Sequence, residues 1–446
     1  MDKTFAIYTL GCKVNQEESA ALANVFMEHG WRQLPFGEAA DVCIINTCTV
    51  TQIAEKKSRN MLRRAVAANP AAFVVGTGCY VQIKPEEAAG IIGLDLLLGA
   101  NEKHRLFALA AAGARAKANA HSAGSPQVEV SPAETACVYQ ELGNANSLTS
   151  RTRAFVKIED GCNQFCSYCI VPYARGPVRS RPLPAVLAEM RALVAAGYQE
   201  IVLTGIHVGA WQAEGQSFAD LVAAAAVVPG LARLRLGSVE PREFSPQLLR
   251  LVADSPVICP HFHIPLQAAA NSVLQAMRRD YDMAYYCQLV ADLRAVLPAA
   301  AITTDIIAGF PGEDEQAFAE GLRQVEQLAF ADAHIFPYSR RPGTPAADFA
   351  GQIASAEKSR RAAQLAAVVA ESRRRFRAAR LGRELRVLLE QPVEREGVCG
   401  MQGYTADYLP VFVPGLGAER AGHFVQVKAV RLMAAQADEI WAERPE

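Results

Sequence analysis

Between Arg151 and Pro337 the chain alternates short apolar runs with helical segments six times, and this rhythm limits the possible folds more than any other feature. The expected strands are Ala154–Glu159, Glu200–Thr204, Arg233–Val239, Cys259–Pro265, Ile302–Ala308 and Ala331–Pro337. Helical segments fall between them at Leu183–Ala196, Phe218–Val227, Ser245–Val252, Tyr281–Leu297 and Glu315–Leu328. Parallel strands need such crossovers, so six successive units predict a partial (βα)6 barrel with functional residues at the C-terminal strand ends.

The first hundred residues follow the same logic on a smaller scale. Phe5–Leu10, Asp41–Asn46, Ala72–Thr77 and Asp95–Leu98 read as buried strands, with helices Glu17–Glu28 and Ala54–Ala68 between them. That pattern predicts an open parallel α/β sheet. An Ala-rich helical stretch from Glu102 to Ala118 follows, and Ser122–Leu148 has no sustained period and reads as a linker. Beyond the barrel, Ser355–Arg380 reads as one long arginine-rich helix. The runs Leu385–Glu390, Leu409–Val413 and Phe424–Leu432 then predict a small all-β barrel. The expected organisation is an N-terminal sheet domain over 1–118, a linker over 119–150, a barrel over 151–352, a connecting helix over 353–380 and a β module over 381–446.

A net charge of −1 excludes a general polycation, so a nucleic-acid partner would need local basic clusters. No apolar run approaches the roughly 18–20 residues of a membrane helix, and Met1–Cys12 lacks the pattern of a secretory leader. The expectation is a cytoplasmic protein with no membrane partner. In a reducing compartment, eleven dispersed cysteines favour metal or redox ligation over a disulfide framework.

One group of cysteines is tightly spaced. Asp160-Gly-Cys-Asn-Gln-Phe-Cys-Ser-Tyr-Cys169 follows the first barrel strand and offers the thiols of Cys162, Cys166 and Cys169. Three soft ligands in a glycine-led loop suit one iron–sulfur cluster with an open iron. A zinc knuckle would want a fourth ligand nearby, and the next dozen residues contain none. A second group is dispersed but topologically equivalent. Cys12, Cys48 and Cys79 each follow a predicted N-terminal strand, where an open parallel sheet gathers its loops into a crevice. Cys43 lies inside a predicted strand, and Cys137, Cys259, Cys287 and Cys399 have no companion spacing; these read as packing or linker residues.

The loop around Cys162, with Tyr168 before its last cysteine, is similar to that of the radical S-adenosylmethionine (SAM) superfamily. With Cys12, Cys48 and Cys79 and the β-type tail, nearly the whole chain resembles the methylthiotransferases. Thr9-Leu-Gly-Cys-Lys-Val-Asn-Gln16 and Cys162 through Gly176 resemble the MtaB-type branch. That branch acts on N6-threonylcarbamoyladenosine at position 37 of tRNA and adds a methylthio group at C2. The isopentenyladenosine-modifying branch typically has Gln-Met where Lys13-Val14 stands.

The resemblance implies two [4Fe–4S] clusters, one held by each cysteine trio, with SAM chelating the open iron of the barrel cluster. It implies a C-terminal module of the TRAM type, the tRNA anticodon loop as substrate, an electron donor such as flavodoxin or ferredoxin, and a sulfur source. Candidate SAM contacts are Tyr168, Thr204, Gly205, Ser238, Glu240, Gln267 and Gly309. Asp305 is an unusual charge inside a strand, and Arg340 is a candidate for a phosphate or the threonyl carboxylate.

RNA binding is expected from the helix carrying Arg360, Arg361, Arg373, Arg374, Arg375, Arg377 and Arg380, and from stacking on Tyr404, Tyr408 and Phe412. Three other readings stay open. They are the same chemistry on isopentenyladenosine-37 tRNA, the same chemistry on a ribosomal-protein side chain, and a non-catalytic electron carrier without a SAM site.

Overall fold

Every residue of Val42–Thr47 is buried, which requires cover on both faces of its sheet. The computed structural model describes residues 3–119, 125–143, 152–433 and 438–444, and shows that cover. Six parallel strands stand in the order Arg32–Gln33, Thr4–Thr9, Val42–Thr47, Phe73–Gly78, Leu96–Leu98 and Gln127–Glu129. Helices Lys13–Glu28 and Leu106–Asn119 cover one face through Leu22, Phe26, Leu106 and Ala110. Helix Gln52–Ala68 and the short helix Cys79–Ile83 cover the other through Leu62, Ala65, Tyr80 and Val81.

Two expectations need correction here. The stretch read as a linker contributes the edge strand Gln127–Glu129, paired along Leu96–Leu98. Residues 120–124 and 144–151 of that region lie outside the described residues. The first helix begins at Lys13, four residues before the expected start at Glu17. Its N-cap, Cys12, makes no side-chain cap bond, so no capping signal marks the start.

The second unit carries six parallel strands in two groups, Ala154–Lys157, Glu200–Thr204 and Arg233–Leu236, then His261–His263, Ala301–Ala308 and Asp332–Pro337. Bridges at Leu234 with Ile258 and Ser238 with His263 join the groups into one curved sheet. One core, including Val156, Leu203, Leu234, Phe262, Ile306 and Phe330, lies between these strands and their helices.

The helix Ser355–Ala378 packs on that core through Leu365 and Val369, and reaches the last module with Phe376. That module is a closed barrel of Glu384–Arg395, Val398–Tyr404, Pro410–Pro414, Glu439–Glu443 and Phe424–Met433. Its strands Val398–Tyr404 and Glu439–Glu443 were not expected from the sequence pattern. A side chain at Gly400 would stand 2.4 Å from the Val413 carbonyl, and one at Gly403 2.3 Å from that of Leu388. Both glycines therefore mark close strand contact and not turns.

The arginines of the long helix do not form a free basic stripe. Arg361 pairs with Glu313 at 3.0 Å, Arg373 with Asp332 at 3.3 Å and Arg380 with Asp407 at 3.1 Å, while Arg360 holds Glu315 and Glu357. Arg377 faces Asp332, and the more exposed Arg374 and Arg375 lie near Asp438 and Glu371. The helix is a strut whose charges tie the barrel to the C-terminal module.

The aromatic expectation also changes. Phe412 is fully buried, and Tyr404 and Tyr408 stack on each other at 4.9 Å beneath the Arg153 guanidinium. Arg233 donates to the carbonyls of Tyr404 and Arg386, and Arg235 to that of Ala406. These groups clamp the two units together, with Phe412 closed to solvent and Tyr404 and Tyr408 half-buried.

Candidate functional site

The strand order brings Cys12, Cys48 and Cys79 to one edge of the N-terminal sheet, since each follows one of three adjacent strands. Gly11 (φ +99°) turns the chain so closely that a side chain there would meet Cys48 Sγ at 2.8 Å. Gly78 (φ +94°) likewise lies against the Thr47 carbonyl, and Cys79 opens a helix directly after it. Burial pushes Cys48 up to about 11, with Cys79 and Cys12 adding electrostatically, and burial likewise raises Cys12 with a contribution from Cys79. The Arg175 guanidinium opposes this at Cys12, and Cys79 acts on both Arg175 and Lys103. Three converging thiols backed by buried cations fit an anionic thiolate-held cluster.

Behind this edge lies a polar network that the sequence did not reveal. Glu18 binds Arg175, Lys157 and Lys103, while Asp160 takes Lys157 at 2.7 Å and Arg175 at 3.1 Å. Arg175 also donates to Asn15 Oδ1, and Lys103 to Asn46 Oδ1. The network therefore joins the N-terminal sheet to the start of the barrel's cysteine loop.

That loop is held from several directions. Gly161 (φ +92°) sits so close to Pro177 that a side chain would meet its carbonyl oxygen at 2.0 Å. The Cys162 amide donates to the Gly176 carbonyl, that of Cys169 to Cys166, and that of Ser167 to Met277. Arg279 donates to Cys166 Sγ at 3.2 Å and also binds Glu240, while His207 Nδ1 lies 3.8 Å from Cys162 Sγ. Burial pushes Cys169 up to about 12, and Cys166 and Cys162 add to it electrostatically. Three mutually close thiols with a guanidinium at one of them fit a cluster with an unshared corner. Neither Arg279 nor His207 carries a sequence signal that would have singled it out.

The candidate SAM contacts fare unevenly. Tyr168 lies among Cys166, Cys169, Arg279 and Glu240. Glu240 already holds Arg279, and burial raises its pKa. Thr204 is buried at a strand end, and Gly205 lies against the carboxylate of Glu159. Glu159 in turn accepts from the amides of Ile206 and His207 at 2.9 and 2.7 Å. Ser238 pairs with His263, and Gln267 (φ +64°) with Ile306. At Gly309 a side chain would meet Lys358 at 2.6 Å, so its missing Cβ admits the long helix. Of the arginines after the last strand, Arg340 stays half-exposed, whereas Arg341 is buried on Thr49 and Glu55 and bridges to the N-terminal unit.

Comparison with known proteins agrees with this architecture. Residues 4–99 match the uncharacterized protein family UPF0004, and residues 156–325 match the radical SAM superfamily. The chain is 37% identical over 432 residues to a threonylcarbamoyladenosine tRNA methylthiotransferase, MtaB, of Bacillus subtilis (strain 168), covering 96% of this chain and 94% of that protein. It is 34% identical over 460 residues to a tRNA-2-methylthio-N(6)-dimethylallyladenosine synthase of Nitratidesulfovibrio vulgaris (strain Hildenborough), covering 99% of this chain and all of that one. Among solved structures, the radical SAM methyltransferase TsrM of Kitasatospora setae, with cobalamin and a [4Fe–4S] cluster bound, aligns with a TM-score of 0.58 at 17% identity. That alignment covers 78% of this chain and 77% of that one, and shows a shared fold.

Proposed function

This chain belongs to the radical SAM tRNA methylthiotransferases, and we propose that it adds a methylthio group to C2 of N6-threonylcarbamoyladenosine at position 37 of the tRNA anticodon loop. The observation that carries this is the pair of cysteine trios, one gathered at the ends of three adjacent parallel strands and the other on the single loop after the first barrel strand, with Arg175 beside the first and in the polar network that anchors the second. Its cofactors are SAM and two [4Fe–4S] clusters.

Cys12, Cys48 and Cys79 would hold one cluster, and Cys162, Cys166 and Cys169 the other. Bound there, the clusters and SAM supply radical and sulfur chemistry, which a C2–H bond that is neither acidic nor electrophilic requires. The chain's own groups orient these partners. Arg279 spreads positive charge onto the Cys166 sulfur and keeps Glu240 turned toward the cysteine loop, where that carboxylate would meet an amino or hydroxyl group of SAM. Glu159 fixes the turn after Thr204 by accepting two backbone amides, which shapes the adjoining wall. Tyr168 stands half-buried beside Cys166 and Cys169, where it would form part of the wall of the site.

No helix among the described residues is long and apolar enough to cross a membrane. With a tRNA substrate, our reading is of a cytoplasmic enzyme served by a flavodoxin- or ferredoxin-class electron donor and a separate source of sulfur. The test is nucleoside mass spectrometry of tRNA from a deletion strain. Methylthio-threonylcarbamoyladenosine should disappear, with methylthio-isopentenyladenosine unchanged; an undiminished methylthio-threonylcarbamoyladenosine signal would overturn the assignment.

A further inference from the structure

The last three barrel strands carry a side-chain group that nothing above uses. In their parallel register Asp305 stands beside His334, and Thr303 beside His263. The alternate residues Ile302 and Ile306 pack into the core beneath the helices. By strand alternation His263, Asp305 and His334 therefore face the inside of the curved sheet.

The hydrogen bonds within the group are asymmetric. Asp305 Oδ1 accepts from His334 Nδ1 at 3.0 Å, and its Oδ2 lies 3.3 Å from His263 Nε2. His263 Nδ1 meets Thr303 Oγ1 at 3.0 Å, so both of its ring nitrogens are engaged. His334 Nε2 has no partner among the described residues, and 71% of that side chain is exposed. A carboxylate on Nδ1 favours the imidazolium, and Asp305 does raise the His334 pKa from its ordinary value. Nε2 is then an N–H donor pointing into open space. The Lys13 ammonium bears electrostatically on both His334 and His261, which brings the Cys12 loop near this face. Phe336, the next residue on the same face, is also exposed.

An oriented donor, a second cation and an adjoining ring suit a substituted base that ends in a carboxylate, and give no advantage to an alkyl group. We propose that His334 Nε2, positioned by Asp305 and His263 and supported by Lys13, receives the threonyl carboxylate of the substrate base. The proposal rests on the tRNA reading above and names how that substrate is selected. The three groups also lie within 4.8 Å of one another, close enough for a divalent cation, and that occupant is one outcome of the test.

The test uses the full chain with both clusters reconstituted, assayed on anticodon stem-loop RNAs carrying threonylcarbamoyladenosine or its methyl ester. Wild-type KM should be about 10- to 100-fold higher for the ester, as for loss of a charged hydrogen bond, with kcat within about twofold. His334→Ala should raise KM for the acid by a similar factor and leave the ester unchanged, and His334→Arg should restore part of the loss. Equal wild-type KM for acid and ester would overturn the proposal without help from any variant, while leaving the tRNA assignment intact. Failure of wild type on both RNAs would overturn the assignment and the proposal together. Loss of a bound non-cluster metal in His334→Ala would replace carboxylate recognition by a cation site.

Discussion

Arg175 and Glu18, 157 positions apart in sequence, form an ion pair with essentially no solvent contact, Nη1 to Oε1 at 2.5 Å. Because Glu18 also faces Lys103 and Lys157, it touches three buried cations, of which Asp160 shares Lys157 and Arg175 while Lys103 pairs with Glu18 alone among the described residues. Their field keeps Glu18 well below the usual carboxylate range despite its burial. Removing it strands Lys103 in a medium that solvates charge poorly and leaves Lys157 and Arg175 to Asp160 alone. Glu18→Gln should therefore cost about 3–5 kcal/mol of stability. Urea unfolding checks this, and a midpoint matching wild type would contradict it.

The two cysteine trios should be separable by iron content. Cys12→Ala, Cys48→Ala or Cys79→Ala should each lose about half the reconstituted iron, since each removes a ligand from one of two clusters. These variants should still release 5′-deoxyadenosine from SAM under reducing conditions. Cys162→Ala, Cys166→Ala and Cys169→Ala should lose that reaction while keeping about half the iron. Iron unchanged across the first group would remove the N-terminal site.

Gly161→Ala tests the geometry of the barrel loop without touching a ligand. The added methyl would meet the Pro177 carbonyl oxygen at 2.0 Å in a backbone conformation that side chains rarely adopt. Relief must move Cys162, the next residue. SAM cleavage should fall by at least about tenfold, as for a misplaced catalytic assembly, with the N-terminal cluster retained. Wild-type cleavage would show that the loop relaxes around the methyl.

Glu17 gives a pH prediction. Burial pushes its pKa up to about 8 from an ordinary value of 4.5, with Lys157 opposing. Between those values the folded state binds more protons than the unfolded one, so stability falls as pH rises through that window. The contribution is fully present below the lower value and lost above the upper one. Glu17→Gln should flatten this decline; denaturant unfolding at about pH 5 and about pH 8 measures it. An unaltered slope would assign the decline to another group.

The elements legible in the sequence were those whose evidence is local. Glu200–Thr204 is a short apolar run with helices on either side, and it folds as expected. The cysteine positions were legible for the same reason, because each follows its strand directly. What was illegible depends on partners far along the chain. Arg380 finds Asp407, Arg373 finds Asp332, and Tyr408 lies beneath Arg153, so much of the charge on a helix that reads as an RNA-facing stripe is instead paired with the units it joins. Arg279 and His207 belong to no motif; only folding brings them to Cys166 and Cys162. Gly309 was ambiguous because a glycine required by a neighbouring helix looks the same in sequence as one required by a ligand.

The edge strand Gln127–Glu129 has a consequence for the order of synthesis. During translation the run Leu96–Leu98 emerges with one flank of its backbone unsatisfied, and stays so until residue 129 has left the ribosome. An unpaired apolar flank of this kind recruits other chains. A fragment ended at residue 118 would keep that flank permanently, so the smallest self-contained N-terminal piece must run past Glu129, into what reads as spacer.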